Sequence, residues 1–211
     1  RMSRMTWFKT VTLICLLVAL SVAFAPGVRA EWSRDYPLGK IMAGNELGRV
    51  TCVEEYNGEI YVGGYFSKIG GKELKSIAKW DGYQWTSVGI NGFTYFGGVA
   101  WIKDLVVYHG KLFAGGIFDL IDGHYTYGIA MWDGEIWKDV LGGIGPSFSG
   151  GHPSVNALMI HDGLLVVGGD FVSVGNMNTN NAGGKDGQIW HKFGSGTPQI
   201  VHCLTEFQGG L

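Results

Sequence analysis

The chain has 211 residues, of which 46% are hydrophobic and only 16% charged, with a formal net charge of −2. There is ample material for a packed core, and the charge excludes the basic stripe that a nucleic-acid groove requires. The 36 glycines beside 5 prolines follow no G-X-Y period, which excludes collagen; they cluster after short hydrophobic runs, where tight turns would use them.

The first element is a leader. Arg1, Arg4 and Lys9 precede an apolar run over 11–25, and Pro26-Gly27-Val28-Arg29-Ala30 closes it. A basic start, a short apolar stretch and small residues at the end read as a secretory signal peptide over 1–30. The run is shorter than the roughly 20 residues of a membrane span. Beyond it the chain carries 12 basic and 18 acidic side chains, a formal charge of −6. That balance fits a secreted or cell-surface protein with no nucleic-acid partner and no membrane span after cleavage. Cys52 and Cys203 are the only cysteines after residue 30, too few for a disulfide framework. They occupy matching places in two repeats, where a small buried residue is expected; a bridge between them is left open.

The remainder is a repeat. Trp32, Trp85, Trp137 and Trp190 are spaced by 53, 52 and 53 residues, and Trp80 and Trp132 recur in Ile77-Ala78-Lys79-Trp80-Asp81-Gly82 and Ile129-Ala130-Met131-Trp132-Asp133-Gly134. The third copy keeps Asp186-Gly187 but has Lys185 where Trp stood. Tyr56-Asn57-Gly58 returns as Tyr108-His109-Gly110 and as His161-Asp162-Gly163. Each is followed by a hydrophobic run ending in Gly63-Gly64, Gly115-Gly116 or Gly168-Gly169.

Asn57-Gly58 and its counterparts predict type I′ hairpins, and Asp81-Gly82, Asp133-Gly134 and Asp186-Gly187 predict a second hairpin in each unit. Four antiparallel strands per unit follow, over 50–56, 59–66, 76–80 and 83–88 in the first copy. No sustained 3.6-residue period occurs, so almost no helix is expected. The pattern predicts an all-β fold, a partial β-propeller of four-stranded antiparallel blades with Trp side chains between them. About three full blades (50–89, 102–142 and 155–194) precede the start of a fourth at 201–211, within an incomplete propeller over 31–211. Residues 32–39 read as a lone outer strand.

The double glycines followed by Trp resemble the kelch-type repeat of galactose-oxidase-like propellers, in the variety seen in bacterial secreted repeat proteins. The resemblance covers 50–211 and implies a propeller frame, which hosts many functions. Nothing here matches the crosslinked Tyr–Cys copper site of galactose oxidase.

Candidate chemistry is sparse. The six histidines show no metal-ligand spacing, so neither a metal nor a cofactor is expected. Asp81 and Asp133 are expected to cap their own turns. Asp119, Asp122 and Asp170 follow the double-glycine strands and could reach a top-face pocket, though the copies do not repeat them as a pair. Tyr83, Phe93, Tyr95, Phe96, Tyr125, Tyr127 and Phe148 lie in or near connections and are the candidate ligand contacts. The expectation is a non-catalytic module that binds protein or glycan, or serves as a scaffold. The alternative is a fragment of a secreted glycan-active enzyme with its catalytic residues in further blades.

Overall fold

A computed structural model describes residues 39–140 and 142–206. The leader, Trp32, all but Gly39 of the lone strand expected over 32–39, and residues 207–211 lie outside them. The described residues are all β, without a helix, and three four-stranded antiparallel sheets recur as blades of a partial propeller.

Blade 1 pairs Arg49–Tyr56, Glu59–Tyr65, Ile77–Trp80 and Trp85–Ser87 in that order. Blade 2 does the same with Trp101–Tyr108, Lys111–Ile117, Ile129–Trp132 and Trp137–Asp139. Blade 3 uses Ser154–His161, Leu164–Asp170, Ala182–Lys185 and Trp190–Lys192. The first strands of successive blades lie against one another.

The first hairpins are type I′ as the sequence predicts. Asn57 and Gly58 have φ of 53° and 80°, His109 and Gly110 48° and 70°, Asp162 and Gly163 48° and 76°. The later turns differ from expectation. Trp80 pairs directly with Trp85, and Trp132 with Trp137, so each loop has four residues rather than two. Its Asp caps it: Asp81 Oδ1 accepts the N–H groups of Tyr83 and Gln84 at 2.8 and 2.9 Å, and Asp133 and Asp186 repeat the device.

The double glycines are not turn residues either. They sit inside the second strand, and each has a separate steric reason. A Cβ on Gly63, Gly115 or Gly168 would lie 2.5–2.7 Å from Ile102, Val155 or Val201, the facing side chain at the start of the next repeat. A Cβ on Gly64, Gly116 or Gly169 would lie 1.9–2.1 Å from the carbonyl oxygen of Arg49, Trp101 or Ser154. There the first strand bulges by one residue and its backbone comes inward.

The cores lie between blades, as the repeated aromatics imply. Tyr56, Tyr61, Ile77 and Val88 of the first repeat pack with Ile102, Leu112, Trp132 and Trp137 of the second. Tyr108, Phe113 and Ile129 pack likewise with Val155, Leu165 and Trp190. Polar struts repeat the join: Tyr56 Oη donates to Gly110 O at 3.2 Å and Tyr108 Oη to Gly163 O at 2.7 Å. Trp137 Nε1 donates to Val88 O at 3.1 Å. In blade 3, Lys185 pairs with Trp190 in the Trp–Trp position and holds its ammonium 5.7 Å from the indole centroid, a cation–π contact in place of ring packing.

Residues 201–206 form no regular strand, yet they dock as a first strand does. Val201 N donates to Gly169 O at 3.0 Å, and Asn156 Nδ2 donates to Val201 O at 2.7 Å.

Candidate ligand-binding face

Each blade carries additional strands at the end where its first strand starts and its second ends. In blade 2, Phe93–Tyr95 and Gly98–Val99 form a hairpin before the first strand, and Leu120–Ile121 and His124–Tyr125 form another after the second. The two join into a small four-stranded sheet, and blade 1 builds the same from Ile41–Ala43, Glu46–Leu47, Lys68–Ile69 and Lys72–Glu73. The sequence signal for these hairpins was present in Gly70-Gly71 and Asp122-Gly123, which take φ of 57° and 85°, and 49° and 84°. Strands of two residues escape any periodicity count.

Backbone bonds fix the equivalences on this face. The N–H groups of Ser67, Asp119 and Val172 donate to the carbonyls of Met42, Thr94 and Pro146. Two residues on from those carbonyls stand Gly44, Phe96 and Phe148, at the tips of the connections that precede the three blades. In blades 1 and 2 the tip N–H donates to the side chain at the equivalent position just past the second strand; in blade 3, where that position is Val172, Asp170 at the end of the strand takes its place. Gly44 N reaches Ser67 Oγ at 3.0 Å, Phe96 N reaches Asp119 Oδ2 at 3.1 Å, and Phe148 N reaches Asp170 Oδ1 at 2.8 Å.

The tip residue of blade 1 is a glycine with φ of 61°, and that of blade 2 is a phenylalanine with φ of 46°. A left-handed conformation at a bulky residue costs about 1–2 kcal/mol. Phe96 is nevertheless 78% exposed, so burial of its ring does not offset that cost. Its ring meets Tyr95 at 4.7 Å and His152 at 6.0 Å between centroids, and Tyr95 meets His152 at 5.1 Å, all edge-on.

The other expected contacts divide. Tyr83 lies at an Asp-capped turn between the last two strands of blade 1, 91% exposed. Tyr125 and Tyr127 are exposed and stacked, 6.0 Å apart and 23° from parallel. Phe148 is 46% exposed. Tyr95 is only partly exposed and packs on the core between blades 1 and 2. Phe93, expected in a loop, lies in a strand with its ring fully buried against Phe118 and Trp137. It presents nothing to a ligand.

The acidic side chains act as clamps. Asp122 Oδ1 accepts three N–H groups, from Ile90, Asn91 and Gly92, at 2.6–3.0 Å. Asp170 accepts from both hydroxyls and backbone groups of the loop Ser147–Ser149. Burial by itself would raise the Asp170 carboxyl, but the bonds from Ser149 and Ser147 outweigh it and hold the group below the usual range. Asp119 Oδ1 is buried without a hydrogen-bond partner, as is Tyr95 Oη.

Two acids that sequence reasoning missed lie on the first strands. Asp104 Oδ2 accepts the Leu158 N–H of the next blade at 2.7 Å, and Oδ1 accepts that of Leu105 at 2.9 Å. Burial raises its pKa to about 6. Burial, with Asp104 and Glu55 nearby, raises Glu54 to about 7. They recur at no fixed place in the repeat, so no pattern announced them.

Among the described residues no group of three or more His, Cys, Asp and Glu is placed to hold a metal ion. Cys52 is buried and Cys203 exposed, and the two are not bridged to each other. No protein-family model matches the chain, and no curated protein matches it.

Proposed function

We propose that this chain is a secreted or cell-surface β-propeller of the kelch-like kind that works as a non-catalytic binding or scaffold module for a protein or glycan. The observation that carries the reading is the clamped tip. A repeated backbone device holds Phe96 and Phe148 out on one end of the blades, on a rigid frame where loops normally carry function. Asp122 and Asp170 hold loop N–H groups, which supports a positioning role over the acid–base pair that glycoside hydrolysis requires. The basic, apolar and small-residue order of 1–30 supports export.

The test is a binding screen of the purified chain on glycan and extracellular-protein arrays, run beside a reducing-end assay on the same polysaccharides. Saturable binding without turnover, weakened by Tyr125→Ala with Tyr127→Ala, is the expected result. Turnover abolished by Asp119→Asn or Asp104→Asn would replace the module with a glycan-active enzyme.

A further inference from the structure

We infer that the tip of the hairpin Phe93–Val99, with Phe96 at its apex beside Tyr95, Asp119 and His152, is a stacking subsite for a neutral oligosaccharide; this rests on the binding-module reading above. Three observations converge there. Phe96 holds a left-handed backbone, φ 46°, where blade 1 uses Gly44 with φ 61° and the same N–H clamp. A glycine would satisfy the backbone, so the turn does not explain the ring. Nor does packing explain it, because the ring is 78% exposed. Strain that folding does not require is stored where a ligand uses the group that causes it.

The ligand class follows from what surrounds the ring. The Phe96 side chain has no hydrogen-bonding atom, so it can offer only a flat apolar face, the surface on which the C–H side of a sugar ring stacks. Beneath it lie polar groups that suit hydroxyls but are closed to water in the unliganded chain, so a sugar reaches them as the tip shifts. Asp119 is 94% buried with Oδ1 unpartnered, and Tyr95 Oη is unpartnered too. His152 sits edge-on to both rings. Sugar hydroxyls donate to a carboxylate and exchange bonds with a phenol or an imidazole. A uronate or sulfated chain would meet the Asp119 carboxylate and be repelled, which selects a neutral ligand. On the next connection Phe148, its N–H held by Asp170, carries a second partly exposed ring.

The experiment uses the full chain with Phe96→Gly and Phe96→Leu. Thermal melts are read beside calorimetric titration with cellohexaose, xylohexaose, mannohexaose, chitohexaose and, as the anionic control, oligogalacturonate. Phe96→Gly should raise the melting midpoint by about 2–6 °C by removing the left-handed strain. It should weaken binding of the preferred neutral hexasaccharide by about tenfold or more. Phe96→Leu should lose binding without gaining stability, because it keeps the strain and removes the ring. No rise in midpoint for Phe96→Gly overturns the strain argument. Unchanged binding by Phe96→Gly overturns the subsite while leaving a glycan-binding module in place. Preference for oligogalacturonate, or capture of proteins but no hexasaccharide, overturns the ligand class. Failure of the wild-type chain to bind on either array overturns the binding module itself.

Discussion

Gly63 and Gly64, and their equivalents in the next two repeats, show how two adjacent residues of one type answer two different demands. In blade 2, Gly115 faces a neighbouring side chain, because a Cβ there would come within 2.5 Å of Val155 Cγ1. Gly116 faces its own blade's backbone, 2.1 Å from Trp101 O. A side chain can turn aside and a bulged strand cannot. Gly116→Ala should therefore destabilise by about 3 kcal/mol or more, and Gly115→Ala by about 1–3 kcal/mol; urea unfolding of the two variants measures both, and equal losses would refute the distinction. The glycine pairs are plain in the sequence, but the carbonyls and side chains named here that they avoid belong to residues 15 to 40 positions away in the chain.

At the scale of the element, short hairpins are held by carboxylates acting across the chain. Asp122 spans about thirty residues to gather the N–H groups of Ile90, Asn91 and Gly92, fixing the connection that leads from blade 1 into blade 2. Removing it leaves three donors seeking water, so Asp122→Ala should cost about 1–3 kcal/mol. Hydrogen exchange at residues 90–92 should accelerate while Asp133-capped amides at 135 and 136 stay protected; a uniform acceleration would mean the clamp is not local. The four strands of each blade were legible because short hydrophobic runs broken by Asn-Gly, His-Gly or Asp-Gly turns are local signals, repeated in every unit. The supplementary sheets were not, since two-residue strands such as Leu120–Ile121 are recognised only by the hairpin they pair with. Phe93 reads as a residue in or near a connection for the same reason: its short strand is recognised only through Leu120–Ile121 and Gly98–Val99.

Across the whole molecule, stability should vary with pH in two opposing limbs. Glu54 and Asp104, raised to about 7 and about 6, hold their protons more tightly folded than unfolded. Their contribution is fully present below the ordinary carboxylate value near 4 and is lost as pH rises through 6 and 7. Asp81, Asp133, Asp170 and Asp186 are held below the ordinary value. Their contribution is present above about pH 4 and is lost as pH falls below it. The denaturation midpoint should thus be highest between about pH 4 and 6, and Glu54→Gln with Asp104→Asn should flatten the alkaline limb. A wild-type midpoint that climbs from pH 5 to pH 8 would contradict this. Both raised acids lie on first strands, where Asp104 reaches across to the Leu158 N–H, so the alkaline limb reports on the joins between blades.

The sequence by itself determined the period, the all-β class, the four-stranded blade, the type I′ hairpins and the turn-capping Asp residues. All of these arise from neighbours a few positions apart, and a tandem repeat states them three times over. Only the tertiary structure decided why the glycines are paired, which acids are clamps, and that Phe93 is core while Phe96 is displayed. Those outcomes turn on what the facing strand or the next blade brings within a few ångströms. Two phenylalanines three residues apart read alike along the chain, and pairing across a small sheet buries one and presents the other.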